Sequence, residues 1–155
     1  MPNIACLNGQ FLPLEEATVS IEDRGFQFGD GVYEVIRVYG GRPFRLRSHL
    51  SRLTQSAQAI SLPLPFQAQK LESLISQGLT KCNYSECKVY IQVTRGVAPR
   101  DHVFPGKAHP AFVMTFREMV DLPDNYIQRG VSAITQPDLR WGRCSIKSLN
   151  LLPNV

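Results

Sequence analysis

Lys88-Val89-Tyr90-Ile91-Gln92-Val93-Thr94 is the stretch on which the fold turns. Val89, Ile91 and Val93 alternate with Lys88, Tyr90 and Gln92, the two-residue period of a strand with one buried face. The two segments before it keep a different period. Leu50, Leu53, Ala57 and Ile60 recur at helical spacing, so the pattern predicts a helix over about Ser48 to Ser61, with Ser48 as N-cap and Pro63 and Pro65 as its stop. Leu71, Leu74, Ile75 and Leu79 mark the buried side of a second helix, about Phe66 to Lys81. Further upstream, Gly31 to Tyr39 is rich in β-branched and aromatic residues, and Gly40-Gly41 supplies a turn into a return arm from Pro43 to Leu46. Asn8-Gly9 is a hairpin turn between Ile4 to Leu7 and Phe11 to Leu12, the second arm limited by Pro13. Downstream, Ala111 to Arg117 gives another strand across a loop from Arg95 to Pro110. Val120 to Asn125 reads as a connection into a strand at Gly130 to Gln136. Pro153 suits the first position of a further helix. Strands, two consecutive helices and then more strands predict an α+β fold rather than a βαβ repeat.

A chain of 155 residues that is 43% hydrophobic can bury one sizeable core, or form a small domain with part of another. Its apolar stretches are short and interrupted, far from the ~18 to 20 residues that span a bilayer, so no membrane segment is expected. Met1 to Cys6 lacks the basic and apolar regions of a secretory signal, and the expected location is the cytoplasm. Cys6, Cys82, Cys87 and Cys144 form no C-x-x-C pair, which argues against zinc and against a disulfide framework and leaves buried or idle thiols. The formal charge of +4 comes from 17 basic residues dispersed among 13 acids, with no basic run of the kind that tracks nucleic acid. A weak bias toward anionic small molecules is what remains.

Four clusters could carry chemistry, and each has a plainer reading. Asp23 to Glu34 packs glycines and aromatics ahead of a strand, where Tyr33 could turn its hydroxyl to a pocket; read singly, it is a glycine-punctuated turn. Arg52 adjoins the buried Leu53 and should emerge at the edge of the apolar helix face, fit to grip a phosphate or carboxylate; read singly, it is a solvated helix arginine. His49 reads as a surface or capping residue. Arg100 and His102 lie two apart in the longest loop, a reasonable trap for a carboxylate or simply a solvated loop. His102 and His109 without further ligands make a poor metal site. Lys147 sits in Cys144-Ser145-Ile146-Lys147-Ser148-Leu149-Asn150-Leu151-Leu152, a lone amine among small and apolar side chains. Apolar surroundings favour the neutral, nucleophilic amine, although most lysines are solvated charges.

Taken in this order, the four segments resemble the fold-type IV pyridoxal-phosphate enzymes: branched-chain aminotransferases, D-amino-acid aminotransferases and aminodeoxychorismate lyases. The resemblance runs from the Asn8-Gly9 hairpin to Leu152. It implies the N-terminal small domain of the D-amino-acid aminotransferase-like fold over residues 1–120. Residues 121–155 are then a linker and the first strand of the larger cofactor-binding domain, carrying Lys147. It further implies that Lys147 is the Schiff-base lysine for pyridoxal 5'-phosphate and the proton shuttle. Arg52, in His49-Leu50-Ser51-Arg52-Leu53, matches the H-x-x-R-L arginine that binds the cofactor phosphate. The Arg100-Asp101-His102 loop looks like the D-amino-acid pattern, in which Arg100, His102 and Tyr33 hold the substrate α-carboxylate; Asp101 takes no role. The expected activity is therefore amino transfer between D-amino acids such as D-alanine and 2-oxo acids such as 2-oxoglutarate, in a homodimer, with no nucleic-acid or membrane partner. Branched-chain aminotransferases and the lyases share Lys147 and Arg52 and are the alternatives.

Members of that family are considerably longer. The part not matched holds the acid that pairs with the pyridinium nitrogen and the groups that complete the phosphate cup. On this basis the 155 residues are expected to be an incomplete, inactive portion, with Lys147 on an unpaired strand facing water. The competing expectation is a non-catalytic binding or oligomerising module that frays after about Asp121.

Overall fold

The computed structural model describes residues 3–107, 109–120 and 122–152. Strands β1 (Ile4–Leu7) and β2 (Gln10–Pro13) form the first hairpin, with Asn8 and Gly9 both at positive φ as a tight turn requires. Helix α1 (Arg24–Phe28) follows a 3-10 turn at Leu14–Glu16. Then come β3 (Gly31–Tyr39), β4 (Arg42–Pro43), α2 (Leu46–Ala59), α3 (Ala68–Cys82), β5 (Cys87–Thr94), β6 (Ala111–Glu118) and α4 (Asp124–Arg129). The strands make one antiparallel sheet in the order β2-β1-β6-β5-β3-β4. Mixed helix and antiparallel sheet is the expected α+β class.

Alternation decides which face of the sheet is dry. Val32, Ile36 and Val38 on β3, Val89, Ile91 and Val93 on β5, and Phe112, Met114 and Phe116 on β6 are all buried on one side. Against them α2 lays Leu50, Leu53 and Ala57, and α3 lays Leu71, Leu74 and Ile75. Each large side chain so removed from water contributes roughly 1.5–3 kcal/mol, which is why these two helices hold although neither has a side-chain N-cap. Helix α3 packs close on the sheet at Gly78, where an added Cβ would overlap the Phe116 ring. Cys6, Cys82 and Cys87 lie in this core and Cys144 is exposed, all as free thiols; burial pushes the Cys87 thiol up to about 11.

Several expectations need correction. The return arm after Gly40-Gly41 is only Arg42–Pro43, because Arg45 takes a left-handed conformation (φ 47) that ends the extended chain. Arg45, not Ser48, is therefore the N-cap of α2: its carbonyl accepts from the Ser48 and His49 amides, and the helix begins two residues earlier than its apolar spacing suggests. The glycine-rich segment before β3 is not a plain turn. Asp23 accepts from the Gly25 amide as N-cap, and Gly29, at φ 64, closes the five-residue α1 from the left-handed region. Past β6, the connection contains α4. Gly130–Gln136, expected as a strand, joins no ladder among the described residues, and Val131 and Ile134 are exposed: a strand without a neighbour has no partner for its backbone groups. Asp121 and Pro153 lie outside the described residues. No described helix is long and apolar enough to cross a membrane.

Candidate active site

The free edge of β3 is where the C-terminal stretch attaches. β4 pairs only with Val38 and Tyr39, which leaves the Gly31–Tyr33 end of that edge open. The Tyr33 amide donates to the Lys147 carbonyl (3.0 Å) and the Leu149 amide to the Gly31 carbonyl (3.0 Å), an antiparallel bridge between Val32 and Ser148. From the other side, the Lys147 amide donates to Ser56 Oγ (3.1 Å), a buried hydroxyl on α2. Lys147 is thus not on an unpaired strand facing water: it is half-buried, and its backbone is held by β3 and α2 together. Its Nζ lies 4.1 Å from the centroid of the Tyr33 ring, a cation–π contact that steadies the amine.

Arg52 emerges from α2 as its spacing predicts, with half of its side chain in solvent. Its Nε and one Nη donate to the two carboxylate oxygens of Glu34 (2.5 and 2.7 Å), and His49 Nδ1 stands 2.8 Å from the same carboxylate. Glu34 is fully buried. Burial opposes its ionisation, but the hydrogen bonds from Arg52 and His49 outweigh that and hold its carboxyl below the usual range. His49 is therefore a ligand of Glu34 rather than a surface or capping residue. Neither Glu34 nor Ser56 was identified as a site residue from sequence, yet Glu34 had a signal. It shares the inward period of β3 with Val32, Ile36 and Val38, and a carboxylate there must be paired.

Tyr33, Arg52, Ile146, Lys147 and Leu151 line one open cavity of about 350 Å³. An amine, a half-exposed guanidinium and a phenol around one space suit an aldehyde-bearing phosphate, so the residues present fit pyridoxal phosphate. Arg100 and His102 are not among the residues lining this cavity. They meet instead at Phe28 of α1: the Arg100 guanidinium is 4.7 Å from the ring centroid and the His102 ring packs edge-on at 5.8 Å.

Against known proteins, residues 31–155 match the family model for amino-transferase class IV. The chain belongs to the class IV aminotransferase family. It is 46% identical over 149 residues to a D-alanine aminotransferase of Staphylococcus epidermidis, covering 96% of this chain and 53% of that one. The D-alanine aminotransferase of Bacillus licheniformis is likewise 46% identical over 148 residues, with 96% and 52% covered. Among solved structures, a 4-amino-4-deoxychorismate lyase from Pseudomonas aeruginosa superposes with a TM-score of 0.75 at 26% identity, over 97% of this chain and 54% of that one. A fold IV transaminase from Curtobacterium pusillum gives a TM-score of 0.65 at 26% identity, over 77% and 43%. The chain spans about half the length of the curated relatives it matches.

Proposed function

We propose that this chain is the N-terminal portion of a pyridoxal-phosphate-dependent aminotransferase that moves the amino group between D-amino acids such as D-alanine and 2-oxo acids such as 2-oxoglutarate. The observation that carries the reading is the convergence of Lys147, Arg52 and Tyr33 on one cavity in a chain 46% identical to D-alanine aminotransferases. Residues 1–120 serve as the small domain, and residues 121–155 as the connection and the start of the larger one.

When bound, pyridoxal phosphate supplies the electron sink for the substrate's α-carbon. Lys147 binds the cofactor through its amine and, once displaced by substrate, carries a proton to and from that carbon. Arg52 holds the phosphate with the edge of its guanidinium that Glu34 leaves free, while Glu34 fixes the fork's orientation. Tyr33, Arg100 and His102 bind the α-carboxylate. Because Arg100 and His102 are seated at Phe28 rather than on the Lys147 cavity, a homodimer in which a second copy's loop approaches the cavity accommodates all three. The setting proposed is the cytoplasm, with no nucleic-acid or membrane partner.

The test uses the full-length protein. Lys147→Ala should abolish the visible absorbance of bound cofactor and its trapping by borohydride. Arg100→Ala should raise KM for D-alanine more than it disturbs cofactor retention. Turnover of L-leucine or aminodeoxychorismate in place of D-alanine would transfer the chain to the branched-chain or lyase reading. Absence of cofactor from the wild-type protein would favour a non-catalytic module.

A further inference from the structure

Arg100 and His102 belong to an exposed loop, and long exposed side chains hold no fixed geometry without support. The support is beneath them. Arg24 and Arg95, each only 3% exposed, both donate through Nε to the same oxygen of Asp30, at 2.8 Å each. Burial opposes the charge on Asp30, but hydrogen bonds from Arg95 and Arg24 hold its carboxyl below the ordinary range. Other donors of the two guanidiniums reach outward to backbone. Arg95 donates to the Ile60 and Ser61 carbonyls at the end of α2 (2.9 and 3.0 Å). Arg24 donates to the carbonyls of Asp101 (2.6 Å) and Val103 (3.4 Å), the two neighbours of His102. Phe104, also in the loop, lies over the Arg95 guanidinium at 3.7 Å.

Phe28 is where this buried cluster and the loop's side chains meet. Arg24 stands 4.8 Å from its ring centroid and Arg100 4.7 Å, and the His102 ring meets its edge. We infer that Phe28, seated on the Arg24–Asp30–Arg95 cluster, is a positioning residue that sets the direction of Arg100 and His102 for the substrate carboxylate. Phe28 is not among the residues lining the Lys147 cavity. The aromatic face attracts the Arg100 guanidinium and the ring packs edge-on with His102, and a saturated side chain of similar size would fill the space without directing them.

This rests on the carboxylate role given to Arg100 and His102 under Proposed function, and the two can fail separately. In the full-length holoenzyme, Phe28→Leu should raise KM for D-alanine about three- to fivefold, with kcat, cofactor absorbance and borohydride trapping near wild type; a factor of that size is what removing one exposed cation–π attraction produces. Phe28→Tyr, which keeps the ring, should restore KM to within about twofold. An unchanged KM in Phe28→Leu would overturn the inference. So would equal loss of cofactor, kcat and KM in both variants, which marks Phe28 as packing alone. If the wild-type holoenzyme does not transaminate D-alanine, the underlying reading fails first and takes the inference with it.

Discussion

Residues 4–118 and residues 122–152 are held by different physics. In the first region every strand of the sheet has a hydrogen-bonded neighbour, and a continuous apolar core lies between the sheet and its two long helices. In the second, Leu122, Ile127, Val131, Ile134, Leu139 and Leu152 all expose more than half of their surface. What ties it down is local, including the bridge at Val32 and Ser148, the Ser56 hydroxyl on the Lys147 amide and the Asn150 side-chain amide on the Gly29 carbonyl. The lesson is that the best-anchored stretch of the weakly packed region is the one bearing the candidate Schiff-base lysine.

The contrast should break most clearly in the core. Phe116→Ala empties a fully buried ring site against Gly78 and should cost about 3–5 kcal/mol in urea unfolding. Ile134→Ala, at 82% exposure, should stay within about 0.5 kcal/mol. A large loss for Ile134 would mean that the second region is packed after all.

A smaller effect is expected at the buried Glu34, whose partner Arg52 lines the Lys147 cavity. Glu34→Gln should cost about 2 kcal/mol near neutral pH, less than for a fully buried pair because Arg52 is half in solvent. The acid limb gives the sign. Glu34 and Asp30 both have folded values below the ordinary carboxylate range. Their contribution is therefore full above that range and is lost as pH falls through the folded values. Unfolding free energy measured down the acid limb should fall less steeply in Glu34→Gln than in wild type.

The smallest global effect should come from Ser56→Ala, about 1 kcal/mol at most. Its local effect sharpens the comparison: hydrogen exchange at the Lys147 amide should accelerate by about tenfold while the amides of β5 keep their protection. Faster exchange throughout β5 would show that Ser56 serves the core and not the attachment.

Much of this was legible in the residues. The alternation of Val89, Ile91 and Val93 and the helical spacing of Leu50, Leu53 and Ala57 located the sheet and α2, because burial imposes those periods directly. The start of α2 was not legible, since a left-handed Arg45 leaves no mark that residue type reveals. Helix α1 is too short to show a period, and its Asp23 cap was hidden among glycines. Gly130–Gln136 shows where propensity stops: Val131 and Ile134 suit a strand, but a strand also needs a neighbour. In the candidate site, Lys147, Arg52 and Tyr33 line one cavity. Arg100 and His102 went to Phe28, a contact set by the Arg24–Asp30–Arg95 cluster that no local spacing encodes.

The central claim is that Lys147 is the lysine that binds pyridoxal phosphate, and peptide mapping after borohydride reduction tests it most directly. The full-length protein, incubated with pyridoxal phosphate and reduced, should carry the phosphopyridoxyl group on the peptide containing Lys147 and on no other lysine. A label spread over surface lysines, or placed on one lysine other than Lys147, would contradict it.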